Sequence, residues 1–384
     1  MALQALPQFK SAYPWRDDTH CELLVDTTTF MPAMLESIRT ARHYILLEMY
    51  LVESGSVTTQ LIDALLEAAE KNITIRIIFD DFGTRELNNT DRARLTHPAI
   101  EIAFYHPLRL TRLHQYLFRD HRKLLLVDGE IAFTGGVGFS DGLLTENGSR
   151  SVWHDIVVQF RGKVVDDWQD LFVTQWQRIT SIQPSLPTGQ PETGHEAKQG
   201  CSTRLVSSQP ARINPIYGHL RQRAALARHR LWIATAYFLP SWRLRQVIRQ
   251  AAQRGVDVRL LLPGPITDNP AVRYASQRFY LNLLKAGIRI YEYQPAFMHA
   301  KTTLADDWAS VGSSNFDRWS MSRNLEANQE ISDSKFSAAL EKMFQQDFLQ
   351  AEEITIDNWV QRPARQRWRE YIWGMIESWF DKYK

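Results

Sequence analysis

Apolar residues recur along this chain with two alternating periods. In 61–81, LIDALLEAAEKNITIRIIFDD, the positions Leu61, Leu65, Ala68 and Ala69 follow helical spacing, and Ile73, Ile75 and Ile77 then alternate as strand residues do. A second stretch, 244–264, LRQVIRQAAQRGVDVRLLLPG, aligns with the first without a gap, so that Ala68 and Ala69 fall on Ala251 and Ala252, and Arg76 on Arg259. Upstream of each lies an apolar strand, ILLEMY (45–50) and WIATAY (232–237), ending in Tyr50 and Tyr237. Downstream come HRKLLLVD (121–128) and HAKTTLAD (299–306). Four features recurring in one order predict a duplicated domain; a solenoid needs at least three copies.

The stretch between the copies, SIQPSLPTGQPETGHEAKQG (181–200), is rich in Pro, Gly, Gln and Thr and reads as an exposed linker. The expected organisation is a first domain over 1–182, a linker over 183–200, a second domain over 201–360 and a C-terminal helix over 361–384. Alternating helices and strands predict an α/β fold, and 384 residues suit two domains at ~150 each. A net charge of +2 disfavours a dedicated nucleic-acid binder. Two cysteines, Cys21 and Cys201, provide neither a disulfide framework nor a metal spacing. The N-terminal residues lack the basic and apolar regions of a signal peptide, and no stretch reaches the ~20 apolar residues of a membrane span. The expectation is a soluble or peripheral protein of the cytoplasm.

The chemistry concentrates in the two His-x-Lys-x4-Asp motifs, His121, Lys123, Asp128 and His299, Lys301, Asp306. Residues two apart on a strand share a face, so each His points with its Lys. The aspartates, seven positions on, turn to the opposite face and are expected to support the site structurally. A histidine can serve as nucleophile or acid near neutral pH. A lysine holds phosphate oxygens and stabilises charge as phosphorus becomes five-coordinate. Two facing pairs supply one histidine to attack and one to protonate the leaving alcohol. No cofactor or metal is called for, because lysines beside the histidines repel a cation. After the second motif, GSSN (312–315) offers Ser313 and Asn315 to phosphate oxygens, while GGVG (135–138) allows close backbone approach, or is merely a turn. Glu326 lies 27 residues after His299, and Asp155 lies 34 after His121. A carboxylate on the far ring nitrogen would fix each imidazole's tautomer.

These residues resemble the phospholipase D superfamily over nearly the whole chain, and in particular the bacterial cardiolipin synthases without N-terminal membrane spans. Besides the motifs, the supporting stretches are AYFLPS (236–241), GIRIYEYQPAFMHAK (287–301) and GSSNFDRWSMSRNLEAN (312–328). The resemblance implies two tandem phospholipase D-like α/β domains, each a mixed sheet flanked by helices, related by a pseudo-twofold with one active site at their interface. It also implies a metal-independent, two-step phosphatidyl transfer between phosphatidylglycerol molecules, with phosphatidylethanolamine as another potential donor. His121 becomes the nucleophile, His299 the acid, and Glu326 the histidine-orienting carboxylate, with Asp155 its weaker counterpart. Two departures stand out. Gly138 occupies the place of a usual asparagine, and five residues rather than six separate Asp306 from Gly312.

A lipid substrate requires access to a bilayer, here the cytoplasmic face of a bacterial inner membrane, by peripheral association. In 365–384, Trp368, Tyr371, Ile372, Met375, Ile376, Trp379 and Tyr383 share one helical face. That face suits a bilayer interface, or equally the protein's own core. RLTRLHQYLF (109–118) is a second candidate contact. The competing functions are a hydrolase with the same site, acting on phospholipid or nucleic acid, and a non-catalytic lipid binder.

Overall fold

The computed structural model describes residues 11–108, 117–144, 153–187, 200–210 and 214–363, with isolated positions after that. The first half contributes β1 (Arg16–Val25), β2 (Tyr44–Met49), β3 (Thr74–Asp80), β4 (Ile100–Tyr105), β5 (Lys123–Val127), β6 (Ile131–Gly135) and β7 (Ile156–Arg161). The second contributes β8 (Cys201–Ser208), β9 (Arg230–Ala234), β10 (Asp257–Pro263), β11 (Arg289–Tyr293), β12 (Thr302–Ala305), β13 (Trp308–Gly312) and β14 (Glu326–Ser332), followed by the edge strand β15 (Ala351–Ile354). All fifteen form one mixed sheet, ordered β15-β11-β10-β9-β12-β13-β14-β8-β1-β7-β6-β5-β2-β3-β4. Each strand of the first half has its counterpart seven strands later, and the twofold relation passes between β1 and β8, which pair antiparallel. The duplication read from the helix-strand repeat is thus built as one sheet, whose ladder at the join shifts register between Arg16 and Thr19.

Burial follows the sequence periodicities. In the helix Ser56–Glu70, Leu61, Ile62, Leu65, Ala68 and Ala69 are buried against the sheet. Its first two backbone N–H groups, of Ser56 and Val57, are capped from a distance by the Asp141 carboxylate, each at 2.9 Å. Its counterpart Trp242–Gln253 buries Leu244, Val247, Ile248 and Ala251 and carries its own cap, Ser241. Each half has its own apolar cluster on this face. The other face is covered by the helices Val164–Thr180 and Ser334–Leu349, whose cluster runs through both halves without interruption, from Leu46 and Leu124 to Trp232 and Leu304. Trp168, on the first helix, donates its indole N–H to Gln329 of the second half at 2.7 Å.

The strand ladders correct one detail of the repeat. Met49 pairs with Lys123, and Ala234 pairs with Thr302, which sets Thr235 opposite Lys301. Tyr50 therefore corresponds to Ala236, and Tyr237 to Leu51. The two tyrosines close similar strands but are offset by one position. Of the segments singled out as membrane contacts, 109–116 and most of 364–384 lie outside the described residues, as does 188–199 of the linker. Among the described residues, no helix is long and apolar enough to cross a membrane.

Candidate active site

Each motif histidine sits just before its strand, on a backbone bridge to the opposite half. The N–H of His121 donates to the carbonyl of Leu325 at 2.9 Å, and Leu325 donates to Arg119 at 2.8 Å. The N–H of His299 donates to the carbonyl of His154 at 2.8 Å, where Phe297–Met298 pair with Trp153–His154. Leu325 and His154 are equivalent positions, each one residue before the carboxylate that the site uses.

Those carboxylates cross over. His121 Nδ1 lies 3.0 Å from Glu326 Oε2, and His299 Nδ1 lies 2.7 Å from Asp155 Oδ2. Gly135 pairs with Val157 and Gly312 with Asn328, so Asp155 and Glu326 occupy equivalent places. Each half supplies the acid that orients the other half's imidazole. With Nδ1 held as donor to a carboxylate, Nε2 is left with its lone pair free for chemistry. The exchange was not legible from the spacing of these carboxylates along the chain.

The two supports are alike in role but not in build. Glu326 is fully buried and accepts the hydroxyl of Ser313, whose Oγ also receives the Ala327 N–H at 3.1 Å. Ser313 is itself fully buried and committed to this carboxylate. The counterpart of Ser313 is Gly136, where an added Cβ would meet Asp155 Oδ1 at 2.4 Å. The shorter Asp therefore leans into space that only glycine leaves. Asn315 is buried beside the cleft, and its Oδ1 has no hydrogen-bond partner among the described residues. Its counterpart is Gly138, where a Cβ would meet Leu51 Cβ at 2.7 Å.

Lys123 and Lys301 are 3% and 1% exposed, and each donates its ammonium to the carbonyl of its own motif histidine, Lys123 at 2.6 Å. Burial pushes Lys123 down to about 7 and Lys301 down to about 8. Burial also lowers both histidines below their ordinary 6.5. Lys301 helps carry His299 down to about 4, and Asp155 opposes that fall. Asp155 itself is held below the usual carboxylate range, because His299 and Lys301 outweigh its burial.

Asp128 and Asp306 lie at the far ends of β5 and β12, where the chain leaves the strand in left-handed conformations with φ of 56° and 51°. Asp128 accepts the N–H groups of Arg42, His43 and Tyr44 at 2.8, 2.8 and 2.9 Å. Asp306 accepts those of Arg228, His229 and Arg230 at 2.9, 2.9 and 3.1 Å. Each clamps the loop that enters the parallel strand beside its motif.

His121, Lys123 and His299 line one cavity of about 660 Å³, walled also by Tyr50, Trp153, Tyr237 and Asn315, while Lys301 is buried and bonded to the carbonyl of His299. The Tyr50 ring meets His121 edge-on at 4.8 Å, and Trp153 lies 4.6 Å from the His299 ring. Arg119 and Asp268, which accepts the Tyr237 hydroxyl, line the same cavity. Neither Trp153 nor Asp268 belongs to a motif, and sequence reading missed both. Beneath the second site, His154 joins Asp26 at 2.8 Å and Asp347 at 3.1 Å. Burial opposes its charge, but the two carboxylates prevail and push it up to about 10.

One family model, described as cardiolipin synthase, PLD-like domain, matches residues 34–176 and 220–348, and so contains both motifs. Cardiolipin synthase 2 of Bacillus anthracis is 30% identical over 361 residues, covering 93% of this chain and 70% of its own length. Cardiolipin synthase B of Salmonella typhimurium is 32% identical over 333 residues, covering 85% of this chain and 79% of its own. Among solved structures, a phosphatidylserine synthase from Haemophilus influenzae superposes with a TM-score of 0.71 at 14% identity, covering 94% of this chain and 93% of that one. A polyphosphate kinase from Porphyromonas gingivalis gives 0.57 at 15% identity, covering 93% and 53%. At such identities the structural likeness concerns the fold alone. The matched model and the long-range identity agree: this chain belongs to the family of cardiolipin synthase phospholipase D-like domains.

Proposed function

We propose that the protein is a phosphatidyltransferase that joins two phosphatidylglycerol molecules into cardiolipin and releases glycerol. The observation that carries this reading is the pair of motif histidines in one cavity, with Lys123 beside them and each histidine oriented by the other half's carboxylate. His121 Nε2 attacks phosphorus, the bond to glycerol oxygen breaks, and that oxygen takes its proton from His299. The hydroxyl of the second lipid's headgroup then gives its proton to His299 and attacks phosphorus, and the phosphorus–nitrogen bond breaks. Lys123, Lys301 and Asn315 hold the phosphate oxygens, while Ser313, Glu326 and Asp155 hold the histidines in place. In the resting site both histidines are neutral near pH 7, which suits the nucleophile. The incoming phosphodiester's negative charge offsets the lysines and raises the proton affinity of His299, which takes up a proton from solvent as the lipid binds and so becomes the acid.

Residues 1–182 and 201–360 act in this scheme as one catalytic unit, with Asp128 and Asp306 as structural supports rather than reacting groups. The relatives are named as bacterial cardiolipin synthases, and a lipid substrate calls for work at a membrane; the proposed location is peripheral, on its cytoplasmic face. The test is incubation of the purified protein with phosphatidylglycerol vesicles and EDTA, with lipids resolved by mass. Cardiolipin from the wild type, but from neither His121→Ala nor His299→Ala, is expected. Phosphatidic acid alone would convert the reading to a phospholipase.

A further inference from the structure

The two copies of the repeat provide an internal comparison, and one helix departs from it on its outer face. The helix Ser56–Glu70 carries Asp63, Glu67 and Glu70; at the aligned positions of Trp242–Gln253 stand Gln246, Gln250 and Gln253. Ile62 and Leu66 of the first helix are replaced by Arg245 and Arg249, and Gln60 by Arg243. Leu61 and Leu65 are matched by the buried Leu244 and Ile248, whereas the buried Ile62 gives way to Arg245. The exposed face has thus exchanged three carboxylates for neutral amides while gaining cations. The segment 269–291, which packs alongside, contains Arg273, Arg278, Lys285 and Arg289; Arg273 is paired with Glu292 and Arg289 with Glu353, so Arg278 and Lys285 are its contribution to this face. In a chain whose net charge is only +2, this is a concentrated basic face.

The two segments enclose a groove of about 390 Å³ lined by Trp242, Arg245, Arg249, Arg278, Phe279 and Asn282 among others. None of the described residues lining it is acidic. The guanidinium groups of Arg245 and Arg278 lie 4.1 and 4.5 Å from the Phe279 ring, which fixes their planes. The Nε of Arg249 is shielded from solvent and has no hydrogen-bond partner among the described residues. Three guanidinium groups in one concavity form a receptor for phosphate oxygens. At its rim, Trp242 is 60% exposed, the arrangement favoured where a bilayer's headgroups meet its acyl chains. Trp242 follows Leu239 by three residues, and Leu239 lines the catalytic cavity, so groove and cavity are neighbours along the chain.

We propose that this groove binds the phosphate of an anionic lipid in the bilayer surface and so docks the enzyme with its catalytic mouth against the membrane. The proposal rests on the lipid-substrate reading above, but it concerns lipids that are held and not turned over. The exchange of Asp and Glu for Gln removes the repulsion that the first repeat's helix would exert on such a surface. Each basic side chain near an anionic surface strengthens binding about fivefold, so three together contribute on the order of 100-fold.

The test is equilibrium binding of the full chain to vesicles of phosphatidylglycerol in phosphatidylcholine, and to phosphatidylcholine alone, at physiological salt. The R245Q/R249Q/R278Q variant is expected to bind the anionic vesicles at least tenfold more weakly. A second variant, Q246D/Q250E/Q253E, keeps every arginine and restores the first repeat's charges at mostly exposed positions; it should lose affinity comparably. Unchanged affinity in both variants, with circular dichroism as for the wild type, would overturn the docking site. So would equal wild-type binding to the neutral vesicles, or complete displacement by millimolar glycerol phosphate, which would make a free phosphate ester the ligand. Because binding is read without turnover, a protein that docks through these arginines yet forms no cardiolipin would sink the proposed reaction and leave this inference standing.

Discussion

Replacing Asp155 by Asn keeps the side chain's size and its backbone bond from Ile156 at 2.8 Å but removes the charge facing His299. The bond is short, at 2.7 Å, and the carboxylate is fully buried, so solvent does little to screen it. A charge-assisted hydrogen bond of this kind is worth ~1.5–3 kcal/mol. Applied to the transition state in which His299 carries its proton, the loss corresponds to a rate reduction of roughly 10- to 150-fold. Asp155 also supports the proton affinity of His299, which should fall further below about 4 in the variant. The informative assay is a double-mutant cycle on the initial rate of cardiolipin formation, combining Asp155→Asn with His299→Gln. Although Asp155 belongs to the first half, its effect should vanish once His299 is gone, leaving the double variant no slower than His299→Gln alone. A double variant slowed by the full product of the single effects would refute the crossed support. So would an Asp155→Asn enzyme slowed by less than threefold.

Other consequences follow from the same geometry. Burial lowers His121, so the limb for its protonation in kcat/KM should lie below pH 6.5. His299 must carry a proton to act as the acid, and at about 4 in the free site it should make kcat/KM fall as pH rises above that value, with Lys123 at about 7 and Lys301 at about 8 steepening this alkaline limb near pH 7–8. In saturating lipid the bound phosphate should move that alkaline limb of kcat upward, and an unmoved limb would argue against lysine–phosphate contact. His154 is raised from 6.5 to about 10, so its contribution is fully present below pH 6.5 and is lost as pH rises through 10, a difference of roughly 3–5 kcal/mol. Urea unfolding across that window should show the decline in wild type and a much flatter profile in His154→Gln. Arg122 and Glu48 form a buried pair at 3.5 Å, and by ladder register Ala300 and Ala234 fill the same places in the second half. Removing Arg122 alone should cost ~3–5 kcal/mol, and adding Glu48→Ala should restore much of it. Finally, Gly138→Asn, which copies Asn315, should lower stability by ~1–3 kcal/mol without raising activity, because Leu51 occupies the space.

The sequence made the duplication and both motifs visible because those depend on short, local spacing. The alternation at Ile73, Ile75 and Ile77 falls at the start of β3, and the paired alanines lie on the buried faces of equivalent helices. What stayed hidden is tertiary. Glu326 and Asp155 lie 205 and 144 residues from the histidines they hold, and no chain spacing says that each should cross to the other half. The parity argument for Asp128 and Asp306 assumed an unbroken strand, whereas β5 and β12 end one residue earlier and the left-handed turn sets their direction. Ser313, expected on phosphate, instead spends its hydroxyl on Glu326. The tyrosine pair was misaligned by one because two strands of similar composition carry no local mark of register.

The shared sheet has a consequence for how lipids pass through the molecule. Fifteen strands in one sheet, with a single apolar layer beneath both halves, resist any parting of the halves. The placement of the two histidines is therefore set by the sheet and its bridges and not by the ligand. In the proposed transfer the two alcohols therefore take turns in one cavity, which Arg119 and Asp268 also line. The first has to leave before the second can be accommodated, and the phosphatidyl group would stay on His121 in between. A frame of this kind would make the order of events a property of architecture.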